Sequence, residues 1–227
     1  MPESVSLNKF VAATGICSRR EADRWIDAGR LRINGSVAVR GNRVLPGDAV
    51  TLDGRPVGER PDLVYLAFHK PAGVTSTTDA KDPDNIIDFV GYPERIFPVG
   101  RLDKASTGLI LLTNDGDIVN DVLRAENEHE KEYIVTVDQP VTDRFVRRMA
   151  GGLPILGKRT KECTVERLGR HSFRIVLTEG MNRQIRRMCE YLGYRVRTLK
   201  RIRIMSIELG DLPVGEYRKI PSFREFF

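Results

Sequence analysis

The chain has 227 residues, of which 41% are hydrophobic and 30% are charged, a composition typical of proteins that bury a core. Lysine and arginine outnumber aspartate and glutamate by 37 to 31, which favours nucleic acid or another anionic surface as the partner. No apolar run approaches the roughly 20 residues of a membrane span, and the N-terminus has no apolar signal core, so we expect no membrane partner. The three cysteines are far apart in the chain, which favours a reducing cytoplasm.

The first fifty residues predict a small domain of two helices and a hairpin. Apolar residues at helical spacing from Leu7 predict the first helix. A capping box formed by Ser18 and Glu21 predicts the start of the second. The pair Asn34-Gly35 predicts a tight turn between two strands. We therefore expect a compact helix–helix–hairpin domain over residues 5–54.

Basic residues are dense in this first domain, and two interpretations of them are open. They could form an ordinary solvated surface, or one face that contacts phosphates. The order of elements resembles the S4-like RNA-binding module, first seen in a small-subunit ribosomal protein, and this resemblance favours RNA. The basic residues concerned are Lys9, Arg19, Arg20, Arg24, Arg30 and Arg32, of which we select Lys9, Arg19 and Arg20 as candidate RNA-binding residues.

A second domain is expected over residues 63–227, after a linker at residues 54–62 that is rich in glycine, proline and charge. Its strands are predicted at residues 64–68, 96–99, 132–137, 173–177, 195–199 and 204–209, its helices at 116–123, 142–149 and 182–192, and a surface loop at 75–95. Short strands mixed with a few helices, without regular βαβ alternation, indicate an α+β fold.

The most informative segment of the chain is residues 97–116, FPVGRLDKASTGLILLTNDG. It places Asp103 in a turn between a short apolar strand and an apolar run, with Arg101 two residues before it. A carboxylate projecting from such a turn can attack a sugar carbon or stabilise positive charge on one. The simpler alternative is an aspartate that bonds to its own turn backbone. The whole segment resembles the catalytic motif of the RsuA/RluF type of ribosomal RNA pseudouridine synthase, most closely the RluF-like large-subunit branch.

Three further segments fit this resemblance. Residues 71–73, PAG, resemble the first motif of these enzymes and have a structural role. Tyr133, in the strand KEYIV, is either a sheet-face aromatic or a platform for an unstacked base, and the resemblance implies that it stacks on the target base. Residues 179–188, EGMNRQIRRM, resemble the third motif, in which the arginine after Gln-Ile, here Arg186, pairs with the catalytic aspartate. The two arginines that flank it, Arg183 and Arg187, and the arginine of the turn, Arg101, are then candidates for contacts with RNA.

A run of basic residues follows towards the C-terminus. On a strand, Arg195, Arg197 and Arg201 share one parity and are expected to line one edge, so we interpret the run as an RNA-backbone contact. Its members are Arg195, Arg197, Lys200, Arg201 and Arg203.

The resemblance implies isomerisation of a specific uridine to pseudouridine in ribosomal RNA, in 23S RNA of the large subunit, by a monomer whose sheet is mixed and mainly antiparallel. Asp103, Tyr133 and Arg186 are its expected catalytic residues, and Asp103 either adds to C1′ or removes a ribose proton. Three cysteines and three histidines are scattered along the chain, so neither a disulfide framework nor a metal site is indicated, and we expect no cofactor. A transfer-RNA synthase and a non-catalytic RNA-binding ribosome-assembly factor remain as alternatives.

Overall fold

The computed structural model describes residues 4–118 and 129–226. The chain divides into two compact units, Met1–Leu63 with Pro93–Arg95, and Val64–Tyr92 with Ile96–Phe227. The helix predicted at residues 116–123 falls mostly on residues outside the described ranges.

The first unit contains the two predicted helices, α1 (Leu7–Ala13) and α2 (Arg19–Asp27). The Ser18 hydroxyl caps α2 by accepting a hydrogen bond of 3.1 Å from the backbone N–H of Glu21. Apolar residues from both helices and from the strands that follow form a single buried cluster. The strands of this unit are β1 (Val5–Ser6), β2 (Leu31–Ile33), β3 (Ser36–Val37), β4 (Arg43–Val44), β5 (Val50–Leu52) and β6 (Arg55–Pro56).

Strands β2 and β3 form the hairpin predicted at Asn34-Gly35, within a four-stranded sheet of order β3-β2-β5-β6. Because β6 pairs with β5, the segment expected to begin the linker is partly ordered sheet. The remaining strands of the unit, β1 and β4, pair with each other.

The second unit is built around a nine-stranded sheet of order β13-β14-β10-β15-β9-β7-β17, with β16 paired to β15 and β8 paired to β9. Only the pairing of β15 with β9 is parallel among the pairs in this sheet that the described residues make. The prediction of an α+β fold with a mixed, mainly antiparallel sheet is therefore confirmed. The strands are β7 (Tyr65–Lys70), β8 (Phe97–Val99), β9 (Thr107–Thr113), β10 (Lys131–Val137), β13 (Thr164–Gly169), β14 (Ser172–Leu177), β15 (Val196–Ile204), β16 (Ile207–Glu208) and β17 (Tyr217–Lys219), with a separate hairpin of β11 (Pro154–Ile155) and β12 (Lys158–Arg159).

The helices of this unit are α3 (Ile86–Val90), α4 (Asp143–Ala150) and α5 (Gln184–Tyr191), and a 3₁₀ turn covers Phe223–Phe226. Helix α4 begins at its predicted cap, where the side chain of Thr142 accepts a hydrogen bond from a backbone N–H of the first turn.

Helix α3 corrects the prediction of a loop over residues 75–95. Asn85 caps the helix by accepting a hydrogen bond from the N–H of Asp88, and Gly91 ends it in the left-handed conformation. Five residues are too few to show a helical period, so the polar sequence around them hides the helix.

Strand β15 also differs from the prediction of two strands separated after residue 199. It is one continuous strand that pairs with β10 from Val196 to Ile204, and two of its arginines have partners on neighbouring strands. Arg203 donates to Glu132 at 2.7 Å and to Glu130 at 2.8 Å, and Arg201 is only 4% exposed. Since Arg201 is paired with β10 on one side and with β9 on the other, the expectation that it lines an open edge for RNA is wrong. Arg195 and Arg197 are exposed, so their contact with the RNA backbone stays a prediction.

The apolar run of β9 is continuous because both faces of the strand are buried. Leu109 and Leu111 pack into one apolar cluster, and Ile110 and Leu112 pack into another on the opposite face. The strand is thus fixed from both sides, and it begins four residues after Asp103. This arrangement gives the preceding turn a rigid support.

Candidate active site

A cleft in the second unit contains the three segments that the sequence analysis selected. Its lining includes the turn before β9, the first half of β10, the middle of β15 and the segment that leads into α5. Asp103, Tyr133 and Arg186 all lie in this lining. Residues far apart in the chain are therefore brought together as predicted, whereas their chemical roles stay a prediction.

The turn that carries Asp103 is held by hydrogen bonds on both sides of the carboxylate. The hydroxyl of Ser76 donates to the carbonyl oxygen of Leu102 at 2.8 Å and accepts from its N–H at 3.2 Å. The N–H of Gly73 donates to the carbonyl oxygen of Lys104 at 2.7 Å. The Asp103 side chain itself stays 37% exposed, so its backbone is fixed while its carboxylate remains accessible.

Arg186 reaches this turn from the first turn of α5. Its Nε lies 3.6 Å from Oδ2 of Asp103, an ion-pair distance that is too long for a hydrogen bond. Its Nη2 donates to the Ser106 hydroxyl at 3.0 Å and to the Ala105 carbonyl oxygen at 3.3 Å. The side chain is 11% exposed, and its Nε has no hydrogen-bond partner within the described ranges. The guanidinium is thus anchored by the turn and presents a charge to the carboxylate.

Tyr133 lies on β10 and is 8% exposed. Its ring belongs to the apolar cluster that also contains Leu102 and Ile185, so the residues that precede Asp103 and Arg186 pack in the same core as the tyrosine. Directly opposite Tyr133 on β15 is Arg201, and opposite residues on antiparallel strands share a face. The tyrosine thus lines the cleft with a cation beside it.

Lys70 supports the floor of the site, although the residues predicted from the sequence do not include it. Its ammonium group donates hydrogen bonds to the carbonyl oxygens of Val74, Pro71 and Lys104, at 2.7, 2.8 and 3.4 Å, and the residue has no exposed surface. Burial lowers the pKa of Lys70 to about 8, although the negative charge of Asp103 opposes this shift. The signal in the sequence was a lysine that ends an otherwise buried strand, directly before the PAG motif.

Arg201 and Lys131 are two further cations in the cleft lining. Arg201 Nε donates to the carbonyl oxygen of Leu109 at 2.6 Å, while its buried Nη2 has no hydrogen-bond partner in the described parts of the chain. Lys131 Nζ donates to the carbonyl oxygen of His129 at 3.0 Å. Burial lowers the pKa of Lys131, and the positive charge of Arg201 lowers it further.

The other predicted contact residues are placed in different surroundings. Arg101 and Arg183 are exposed and line the cleft, and Arg183 adopts a left-handed conformation, with φ of 51°, at the start of α5. Arg187 lies outside the lining and donates to the backbone and side-chain oxygens of Asn182. In the first unit Arg19 and Arg20 are exposed and Lys9 is half-buried.

The side chains that could bind a metal ion do not cluster among the described residues. No three histidine, cysteine, aspartate or glutamate side chains in residues 4–118 and 129–226 lie close enough together to hold an ion. Over the same ranges, no helix has the length and hydrophobicity that crossing a bilayer requires.

Comparison with known proteins finds relatives over almost the whole chain. Residues 64–191 match the family described as RNA pseudouridylate synthase, and residues 5–50 match the S4 domain. The chain is 54% identical to the dual-specificity RNA pseudouridine synthase RluF of Escherichia coli O6:H1, over 96% of this chain and 76% of that protein. It is 33% identical to the ribosomal large subunit pseudouridine synthase B of Bacillus subtilis, over 94% of this chain and 91% of that protein. A solved structure described as a pseudouridylate synthase aligns with a TM-score of 0.71 at 29% identity, over 97% of this chain and 98% of that one.

Proposed function

The chain belongs to the RNA pseudouridylate synthase family, and on that premise we propose that it converts one uridine of large-subunit ribosomal RNA to pseudouridine. The names of its relatives in Escherichia coli and Bacillus subtilis support an RNA substrate and the large subunit. The observation that carries the proposal is the meeting of Asp103 and Arg186, with Tyr133, in one cleft. We further propose that the protein acts in the cytoplasm, as a monomer and without a metal or organic cofactor.

Asp103 is the group that reacts with the ribose in this proposal. Its carboxylate either adds to C1′ as the bond from C1′ to N1 breaks, or removes the proton from C2′. Arg186, tied to Ala105 and Ser106, keeps the carboxylate aligned through its charge. Glycoside hydrolysis needs a second carboxylate because a water must be activated. An isomerisation consumes no water, so a single acid group suffices.

Tyr133 receives the base in this proposal. A target base within a stem is stacked and paired, so the nucleotide must first be turned out at a cost of a few kcal/mol. Stacking of a base on an aromatic ring recovers about 1–3 kcal/mol. The burial of Tyr133 in the core cluster fixes its ring, so little conformational entropy is lost when the base arrives.

Phosphate contacts supply the remaining binding energy. We propose residues 5–54 as an RNA-binding domain and residues 63–227 as the catalytic domain. The exposed Arg19 and Arg20, together with Lys9, would contact the RNA backbone in the first of these. Arg101 and Arg183 would do so at the cleft, and Arg187, outside the cleft lining, would extend this contact along α5.

The decisive experiment measures tritium release from ribosomal RNA that carries tritium at C5 of uridine. We expect release by the wild-type protein and none above background by Asp103→Asn, which keeps the shape of the side chain and removes its charge. Asp211→Asn, at an exposed aspartate outside the cleft lining, is the matched control and should match the wild type. Equal release by Asp103→Asn would remove Asp103 from its proposed role, and absence of release by the wild type would favour a non-catalytic RNA-binding factor.

We keep transfer RNA as the second candidate substrate class, because the name of one relative indicates a second specificity without naming the RNA. The Escherichia coli relative is named a dual-specificity RNA enzyme. Mapping of pseudouridines in both RNA pools of a strain that lacks this protein tests the point. A missing pseudouridine in large-subunit RNA supports the main proposal, and a loss confined to transfer RNA would replace it.

A further inference from the structure

We propose that Arg201, assisted by Lys131, binds a carbonyl oxygen of the uracil as it leaves the ribose and so stabilises the negative charge of the departing base. The inference rests on the proposed function of the cleft, and it assigns a catalytic role to a residue that lies on neither the Asp103 turn nor helix α5. It replaces the RNA-backbone contact that the basic run of the sequence suggested for Arg201.

The first observation is an unusual burial of charge. Arg201 is 4% exposed and makes no ion pair with a carboxylate in the described portions of the chain. Its guanidinium donates one hydrogen bond, to the Leu109 carbonyl oxygen, and its Nη2 is enclosed without a partner there. Leaving a buried charged donor unpaired costs more than the roughly 1–3 kcal/mol of a neutral one. A cation kept in a cleft at such a cost points to an anionic ligand.

The second observation is the position of this cation beside the proposed base platform. Arg201 on β15 is directly opposite Tyr133 on the adjacent strand β10. Lys131 lies two residues from Tyr133 on the same face of β10. All three residues line the cleft. A base that stacks on the tyrosine therefore brings the oxygens on its edge towards two positive groups that repel each other until an anion lies between them.

The depth of the site distinguishes the base from a phosphate. Two exposed cations of the cleft, Arg101 and Arg183, are suited to the backbone of an RNA strand, which keeps its phosphates hydrated. The Arg201 guanidinium is held against β9 by its hydrogen bond to the Leu109 carbonyl oxygen, and the residue is only 4% exposed. A neutral, planar ring can enter so enclosed a place more readily than a hydrated phosphodiester, because its desolvation costs less.

The chemistry of the step requires such a group on either route. When the C1′–N1 bond breaks, its electron pair stays with N1 and spreads over the two carbonyl oxygens of uracil. In one route the Asp103 carboxylate bonds to C1′, and in the other it takes the C2′ proton, but the base leaves as an anion in both. The base then turns, and C5 bonds to C1′ while Asp103 departs or returns its proton. Loss of the C5 proton and uptake of one at N1 complete the isomer.

The test compares two substrates in single-turnover reactions with an RNA stem-loop that carries uridine or 5-fluorouridine at the target. Fluorine withdraws electrons and stabilises the anionic base by itself. Loss of the starting nucleoside, measured by mass spectrometry after nuclease digestion, reports the breaking of the C1′–N1 bond. We expect Arg201→Met to slow the uridine reaction by about 100-fold or more, and to slow the 5-fluorouridine reaction at least threefold less. The dissociation constant for RNA should change less than about twofold.

Two further variants test the proposal even if Arg201→Met does not fold. Arg201→Lys keeps the charge and loses the fork, and Lys131→Met removes the assisting cation. For each we expect a loss of about tenfold with uridine, again smaller with 5-fluorouridine, and an unfolding midpoint near that of the wild type.

Two other outcomes would overturn this inference. Equal losses of rate on both substrates in Arg201→Met, at unchanged affinity for RNA, would show a structural role. A weakened affinity with a smaller salt dependence would show a phosphate contact. Neither outcome contradicts the proposed function, because the wild type still makes pseudouridine. A wild-type protein that makes no pseudouridine would overturn the proposed function as well.

Discussion

Replacement of the buried Lys70 by methionine should change how the stability of the protein depends on pH. Lys70 ends β7 and donates hydrogen bonds to three backbone carbonyl oxygens, one of them on the residue after Asp103. Burial lowers its pKa from 10.5 to about 8. Methionine fills a similar volume and cannot titrate, so the difference between the two proteins isolates this one group.

The sign of the effect follows from proton linkage. Below about pH 8 the lysine is charged in both states, and the full cost of burying its charge opposes folding. Between about pH 8 and 10.5 the folded protein has lost the proton that the unfolded chain still holds, so stability rises with pH. From about pH 7 to pH 9.5 this gain amounts to about 2 kcal/mol for the wild type, and to nothing for the variant.

The assay is urea unfolding of both proteins, followed by circular dichroism at several pH values. We expect the free energy of unfolding of the wild type, minus that of Lys70→Met, to rise by about 2 kcal/mol over this interval. Lys158→Met, at an exposed lysine on β12, is the control and should give a constant difference, because its ammonium group stays in water in both states. A constant difference for Lys70→Met as well would refute the claim that burial controls this group.

Three further experiments test other parts of the structure. Gly108→Ala places a Cβ 2.1 Å from the Arg201 carbonyl oxygen at a φ of 108°, so urea unfolding should show a loss of about 3–5 kcal/mol. Gly193→Ala has a φ of 84° and no neighbour within 4 Å, so we expect about 1–2 kcal/mol there, and equal losses would contradict the close contact. Arg20→Glu should weaken binding of an RNA stem-loop, measured by fluorescence anisotropy, and should reduce the slope of log affinity against log salt concentration by about one. The control Arg144→Glu, at an exposed residue of α4, should change neither quantity. Unchanged affinity for Arg20→Glu would exclude the contact. The three free cysteines are Cys17, Cys163 and Cys189, and burial raises the pKa values of their thiols to about 11 or 12. A disulfide reagent at about pH 8 should therefore label the folded protein roughly 100-fold more slowly than the unfolded chain. Fast labelling of the folded protein would contradict this buried environment.

The sequence was sufficient for the parts of the fold that depend on local patterns. The cap at Ser18 and the turn at Asn34-Gly35 are present, and the α+β class, the S4 domain and the family are confirmed. Asp103 and Arg186 were predicted as site residues because their motifs resemble those of a known enzyme family, whereas the local pattern alone is equally typical of a turn aspartate and a solvated basic face. Their separation of 3.6 Å agrees with the predicted pairing, while their catalytic roles still await the tritium experiment.

What the sequence did not reveal depends on contacts between distant segments. Arg201 and Arg203 of β15 resemble residues of a solvent-exposed edge because their partners are remote in the chain: Glu132 lies 71 residues from Arg203, and the Leu109 carbonyl oxygen lies 92 residues from Arg201. A sequence pattern predicts that a charged residue is exposed unless its partner lies nearby in the chain. Periodicity alone therefore could not predict that Arg201 is buried. The role of Lys70 is hidden for a different reason: two of its three partners, the carbonyl oxygens of Pro71 and Val74, are close in the chain, but hydrogen bonds to backbone carbonyl oxygens leave no pattern in the sequence.

Strand β9 explains why these distant groups converge. Its pairing with β15 requires the close approach at Gly108, and this approach sets the backbone of Arg201 beside the strand that follows the Asp103 turn. The Leu109 carbonyl oxygen then holds the Arg201 guanidinium. One strand thus positions both the carboxylate proposed to meet the ribose and the cation proposed to meet the base. A side chain at position 108 would therefore disturb both groups together, and the losses of stability and of turnover should appear in the same variant.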